Sequence, residues 1–250
     1  MIMQISTLFA DKSDLYAASR SQYPRELFSF ITDLVVQHNA AWDCATGNGQ
    51  AAVGVAETFD LVQATDIRQQ QITHSLTRNN IHYSVCCAEK TAFVDNQFDL
   101  VTVAQALHWF DFDKFWPEVN RVLKPDGVFC TFAFIWCEVS PAIDIAVEGY
   151  IKRIVAPYWA SNNKLVWDSY KGVEFPFAQI GTPKFTLQNL WGFQLFMNYI
   201  HTWSATRRCI EVKGIEFFER AKLQIVREWG DPKEKRLVTS PLTVMAGRNG

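Results

Sequence analysis

Two rhythms of apolar residues run along this chain. After Pro24, a residue suited to a first helical turn, Leu27, Phe30, Ile31, Leu34 and Val35 recur at helical spacing and predict an amphipathic helix. Short apolar runs follow at Ala40 to Ala45, Leu61 to Thr65, Tyr83 to Cys87 and Leu100 to Ala104, spaced so that helices fit between them. A fifth run, Val128 to Ile135, comes after a helical stripe of Phe112, Phe115, Trp116, Val119, Val122 and Leu123, which the turn Lys124-Pro125-Asp126-Gly127 closes. This alternation predicts an α/β fold with a parallel, doubly wound sheet.

Beyond Ile135 the rhythm breaks. The stretch to about Ser204 carries Trp136, Trp159, Trp167, Trp191 and Trp203 without clear strand-helix alternation, and 137–205 reads as an insertion that covers the sheet's ligand-binding edge. Ile215, Phe218, Lys222, Ile225 and Trp229 then predict another helix, stopped by Gly230-Asp231-Pro232, before a last strand around Leu242 to Ala246. With no repeat and no obvious linker, 1–250 reads as one domain with a lid inside it.

Composition narrows the partners. The chain has 250 residues, 48% of them hydrophobic, enough for one large core with a smaller lid. The 24 Lys and Arg against 26 Asp and Glu leave a net charge of -2, without the basic excess of a surface built to neutralise phosphates, so nucleic acid is not the expected partner. Cys44, Cys86, Cys87, Cys130, Cys137 and Cys209 lack the paired C-x-x-C spacing of a zinc site, and His38, His74, His82 and His201 are dispersed, so no metal is assigned. Reduced thiols, a start without a basic and apolar leader, and no bilayer-length apolar stretch predict a soluble, cytoplasmic protein, with a monomer the favoured state.

The most informative segment is Trp42-Asp43-Cys44-Ala45-Thr46-Gly47-Asn48-Gly49-Gln50, an apolar strand ending near an acid, then a small-residue loop that opens a helix. Backbone N–H groups of such a loop can approach a nucleotide-like ligand, with the helix start beside it. Gly47-Asn48-Gly49-Gln50-Ala51-Ala52 also satisfies the dinucleotide pattern G-x-G-x-x-G/A, and Asp66 ends the second strand where an acid can bind ribose hydroxyls. A nicotinamide or flavin cofactor therefore stands as an alternative. Against it, Asp43 precedes the glycines, and no second run of βαβ units follows the fifth strand.

Taken in order, these segments resemble the class I S-adenosylmethionine-dependent methyltransferases, and among them the small-molecule subgroup that includes trans-aconitate methyltransferases. Asp43-x-Ala45-x-Gly47-x-Gly49 is similar to the family's acidic-G-x-G-x-G loop, with alanine for the first glycine. The resemblance implies a Rossmann-like, mostly parallel sheet with an antiparallel last strand, and S-adenosylmethionine as cofactor. It also implies cofactor contacts from Asp43, Ala45, Gly47, Asn48 and Gly49, from Asp66 at the ribose, from Ile67 after it, and from Ala88-Glu89 at adenine. Gln105-Ala106-Leu107-His108-Trp109-Phe110 matches the segment after the fourth strand, with Gln105 a further cofactor contact, and Arg121-Val122-Leu123-Lys124-Pro125-Asp126-Gly127 the turn before the fifth. Tyr16, Arg20 and Tyr23-Pro24 resemble the subgroup's entry segment, and Thr202-Trp203-Ser204-Ala205 another of its signatures. Two departures stand out: Ala45 adds a methyl group where the backbone should approach the cofactor, and the vicinal pair Cys86-Cys87 replaces a position that is often polar.

Methyl transfer from a sulfonium is an in-line displacement, so placement of the partners matters more than acid-base machinery. A carboxylate acceptor is already anionic at neutral pH, and the reaction neutralises charge, which a dry aromatic pocket favours. The tryptophans of 137–205 fit such a pocket and equally fit ordinary lid packing. His108 has two readings, a catalytic base toward a hydroxyl substrate or a group that orients a carboxylate or caps a loop. Arg20 either forks onto the cofactor's carboxylate or is a solvated side chain on the first helix, and Tyr16 lies either against the cofactor's methionine portion or in the lid core. The expected activity is O-methylation of a small-molecule carboxylate. Its rivals are a methyltransferase-like binding protein without turnover, which Ala45 and Cys86-Cys87 motivate, and a nicotinamide oxidoreductase.

Overall fold

A computed structural model describes residues 23–250; Tyr16 and Arg20 lie outside the described residues. The chain runs α1 (Arg25–Asp33), β1 (Ala40–Cys44), α2 (Gln50–Val55), β2 (Leu61–Asp66), α3 (Gln69–Thr73), β3 (Ile81–Val85), β4 (Phe98–Ala104), α4 (Phe112–Val122) and β5 (Leu123–Phe134). It continues through α5 (Pro141–Val147), α6 (Asn163–Trp167), β6 (Ala178–Ile180), β7 (Phe185–Trp191), α7 (Phe193–Thr202), α8 (Ser204–Lys213), α9 (Glu216–Trp229) and β8 (Arg236–Arg248). The sheet order is β3-β2-β1-β4-β5-β8-β6, with β7 also paired to β8. β1 to β5 are parallel, and β8 runs antiparallel to β5, from Val128 opposite Arg248 to Phe134 opposite Leu242. This is the Rossmann-like sheet with an antiparallel last strand. Its strand order reverses between β1 and β4, where open α/β sheets hold their ligands.

Two compact units share the described chain. Tyr23–Ile135, Lys164–Thr186 and Pro241–Gly250 form the sheet unit, and Trp136–Asn163 with Leu187–Ser240 form a helical unit. The stretch 137–205 is thus divided between them, because Val166, Tyr170 and Phe177 are buried in the core of the sheet unit. That core has two layers, one on each face of the sheet. Ala41, Val62, Ala64 and Leu100 point to the layer holding Leu27 and Ile31 of α1 and Ala51, Ala52 and Val55 of α2. Trp42, Cys44, Val101 and Val103 point to the layer holding Phe115, Val119 and Val122 of α4. The alternation of side chains along each strand thus covers both faces, as a doubly wound sheet requires.

Three boundaries differ from the sequence expectation. The third strand is Ile81–Val85 because pairing with β2 starts at Val62 opposite Ile81, and Cys86 and Cys87 fall beyond its end. Leu123 opens β5 rather than closing the helical stripe. The turn at Lys124 to Gly127 lies inside that strand, with Asp126 at φ 63 and a register shift in the β4 pairing between Phe98 and Leu100. Asn249 keeps the segment in the ladder: Asp126 N donates to its carbonyl at 3.1 Å, and its own N donates to Gly127 O at 2.8 Å.

In the helical unit, α5 passes through a π turn (Glu148–Lys152) and a 3-10 turn (Ala156–Tyr158). Trp136, Trp159 and Trp203 meet there with ring centroids 5.3 to 6.3 Å apart, and Trp229 of α9 is buried against Phe193 and Phe196. Among the described residues no helix is long and apolar enough to cross a membrane, and no His/Cys/Asp/Glu group could hold a metal ion.

Candidate functional site

The site is built where β1 and β2 end. Asp43 is fully buried on β1, and burial raises its carboxyl from 3.8 to about 6. Its two oxygens accept the Thr46 hydroxyl at 2.5 Å and the Thr102 hydroxyl at 2.8 Å, which oppose that rise. Thr102 reaches it because β4 pairs with β1 at Asp43 opposite Thr102. The acid therefore ties the loop to two strands from underneath.

The loop itself alternates into the left-handed region at Ala45 (φ 54), Gly47 (φ 58) and Gly49 (φ 87). Gly49 is doubly constrained, since a Cβ there would occupy the place of the Tyr83 hydroxyl. That hydroxyl donates to Leu76 O at 2.6 Å, and Leu76 N donates to Asn48 O at 3.0 Å, so β3 and the segment after α3 buttress the loop. At Gly47 a Cβ would meet nothing closer than Gln71 Oε1 at 3.9 Å. Its surroundings leave room for a ligand.

Asp66 closes the other side. Gly47 N donates to its Oδ2 and Arg68 N to its Oδ1, both at 2.9 Å, and each oxygen keeps lone-pair capacity for another donor. Beside it Ile67 is 69% exposed, a large apolar side chain at the tip of β2. Ala88 is buried, and Glu89 Oε1 accepts Asp111 N at 3.3 Å. Gln105, just past β4, is left-handed at φ 57 and held by its Nε2 on Phe134 O at 3.1 Å. These residues fit a nucleoside: a carboxylate for vicinal hydroxyls, a glycine opening, and an apolar side chain beside them.

His108 sits in a 3-10 turn (Leu107–Trp109), buried, with Nδ1 3.3 Å from the Tyr170 hydroxyl. Burial pulls its pKa from 6.5 to about 4, so it is neutral and weakly basic at neutral pH. Sequence reasoning missed Thr46, Thr102, Tyr83 and Tyr170. Thr102 becomes visible only with the β1–β4 register, and Tyr170 lies 62 residues from His108 with no motif to link them.

A family model described as a methyltransferase domain matches residues 42–131, which span the loop, Asp66 and His108. Along the whole length, the chain is similar to a solved structure named as a type II methyltransferase from Anaeromyxobacter dehalogenans. The two are 32% identical with a TM-score of 0.85, over 92% of this chain and 97% of that one. The chain belongs to the class I S-adenosylmethionine-dependent methyltransferases. A Dictyostelium discoideum protein named as a methyltransferase is 27% identical over 239 residues, 91% of each chain. This methyltransferase also shares 28% identity over 143 residues with a mouse mitochondrial protein named as an arginine-hydroxylase, of which it spans only 41%. Membership displaces the nicotinamide alternative.

Proposed function

We propose that this methyltransferase methylates a small molecule, at a carboxylate oxygen, from S-adenosylmethionine. The cofactor supplies a methyl group activated on a cationic sulfur; the chain binds, orients and excludes water. Asp66 takes the ribose hydroxyls on the lone pairs that Gly47 N and Arg68 N leave free. Ala45, Gly47, Asn48 and Gly49 offer backbone to the cofactor, and Asp43 holds that loop in shape through Thr46. Ile67, Ala88 and Glu89 form the adenine side, and Gln105, Arg20 and Tyr16 are assigned to the amino-acid end. The Gly47–Asp66 corner carries this half of the reading.

For the acceptor, the carrying observation is His108. A buried imidazole with a pKa near 4, facing a tyrosine hydroxyl, is poorly matched to deprotonating an alcohol at neutral pH. An acceptor that is already an anion needs no base. His108 then orients the anion, and exclusion of water around it favours the charge neutralisation of methyl transfer. The near-balanced net charge of -2 suits a small acceptor rather than a polyanion.

Calorimetry with S-adenosylhomocysteine tests the cofactor half, with Asp66→Ala expected to weaken binding by about 1 to 3 kcal/mol, the range for hydrogen bonds to a charged group. Unchanged affinity removes Asp66 from the ribose. Metabolite extracts incubated with methyl-labelled cofactor test the acceptor, with base-labile methyl esters the expected products and labelled ethers or amines the contrary result.

A further inference from the structure

We infer that Cys86 and Cys87 form a reversible dithiol/disulfide site whose oxidation by small-molecule disulfides weakens cofactor binding. The coupling to binding rests on the proposed adenine role of Ala88 and Glu89; the thiol chemistry does not. Both sulfurs converge on one acceptor, with Cys86 Sγ 3.6 Å and Cys87 Sγ 3.2 Å from the Lys90 carbonyl. Cys86 Sγ also donates to Cys87 O at 3.3 Å. The two thiols thus share one small space just past β3.

Exposure makes the pair selective. Cys44, Cys130, Cys137 and Cys209 are buried, whereas Cys86 and Cys87 are only half-buried. Burial raises the Cys86 thiol above its ordinary value, so less of it is thiolate at neutral pH and its exchange with a disulfide reagent is slow rather than immediate. One thiolate attacks the reagent's S–S bond, forming a mixed disulfide and releasing one reagent thiolate. The neighbouring thiolate then attacks the protein-bound sulfur, closing the Cys86–Cys87 bond and releasing the second. Two protein thiols are oxidised, one reagent disulfide is reduced to two thiols, and the two protons pass to the leaving thiolates.

A disulfide sulfur has no hydrogen to donate. Ring closure therefore removes the S–H contacts to Lys90 O that fasten the segment 86–90, and this segment contains Ala88 and Glu89. At its other side Cys86 N donates to Asp66 O at 3.1 Å, so distortion at Cys86 reaches the strand end that carries the ribose carboxylate.

The test uses the full chain, reduced and then treated with oxidised glutathione. Peptide mapping is expected to find one Cys86–Cys87 disulfide, two hydrogens lighter, with the other four cysteines reduced. Calorimetry with S-adenosylhomocysteine is expected to show affinity lower by about tenfold, equivalent to one lost contact, and restored by dithiothreitol. The Cys86→Ser/Cys87→Ser variant should keep its affinity through the oxidant. A mapped protein with no 86–87 bond overturns the proposal outright, and an intact bond with equal affinities overturns the coupling. If neither redox form binds S-adenosylhomocysteine while the bond forms, the cofactor reading fails and the dithiol site stands.

Discussion

The sheet unit and the helical unit both bury large aromatic side chains, Trp42, Phe98, Phe115, Phe129 and Tyr170 in the first and Phe196, Phe218 and Trp229 in the second, but differ in the polar groups buried among them. In the sheet unit, buried acids and hydroxyls are each given a named partner: Asp43 has Thr46 and Thr102, Asp99 has Ala40 N at 3.0 Å and Lys124 Nζ at 2.7 Å, and Thr131 has Val103 O at 3.0 Å. In the helical unit the large buried side chains are aromatic, Trp191, Phe193, Phe196, Tyr199, Trp203, Phe217, Phe218 and Trp229, and the Thr206 hydroxyl is buried without a partner. Hydrogen bonds are directional and fix a loop to a fraction of an ångström, whereas aromatic packing specifies volume.

The sharpest way to break this contrast is to cut the aromatic core. Trp229→Ala removes a fully buried side chain packed on Phe193 and Phe196 and is expected to cost about 3 to 5 kcal/mol, read by denaturant unfolding. A loss below 1 kcal/mol would mean that the helical unit is not held by its aromatics.

The buried titrating groups of the sheet unit offer a second test, because two of them oppose each other. Asp43 is raised from 3.8 to about 6, so its contribution to stability is present in acid and lost as pH rises through 6. His108 is lowered from 6.5 to about 4, so its contribution is present above 6.5 and lost as pH falls through 4. Each is worth about 3 kcal/mol, and between pH 4 and 6.5 they largely cancel. His108→Gln should unmask Asp43, giving a protein that gains stability on acidification through this window, and Asp43→Asn should unmask His108 and do the reverse. Thermal melts of both variants across the window check the signs; parallel profiles would refute the opposition.

Smaller effects separate partnered from unpartnered hydroxyls. Thr102→Val strips a donor from the buried Asp43 carboxylate and should cost about 1 to 3 kcal/mol, whereas the same change at Thr206 deletes an unsatisfied group and should be neutral or stabilising. Equal losses at the two positions would erase the distinction between the units.

The same contrast governs how much the sequence discloses. The strands of the sheet unit announce themselves as short apolar runs because most of them are covered on both faces, and Gly47 and Gly49 because a left-handed backbone narrows the choice of residue. The Asp43–Thr102 pair is hidden, since a parallel neighbour 59 residues away follows from register and not from spacing. The division of 137–205 is hidden more deeply. Val166, Tyr170 and Phe177 are apolar like the tryptophans around them, and no local pattern says that they bury in the sheet unit. Volume has no sequence motif, so most of the helical unit is legible only as a region where the strand rhythm stops; its last helix is the exception, since Phe218, Ile225 and Trp229 recur at helical spacing and α9 ends at Trp229 before Gly230.

Ala45 sits where the two kinds of specification meet, a side chain placed by volume rules in a loop governed by backbone rules. At φ 54 it occupies the left-handed region, which costs an L-residue with a Cβ about 1 to 2 kcal/mol that glycine avoids. Glycine gives back part of this through the greater freedom of its unfolded chain, so Ala45→Gly is expected to stabilise the protein by about 1 kcal/mol, with affinity for S-adenosylhomocysteine equal or higher. Denaturant melts and calorimetry read the two effects separately. A destabilised variant would mean that the Ala45 methyl group makes a packing contribution larger than its backbone strain, and the loop would then be specified by its side chain and not by its conformation.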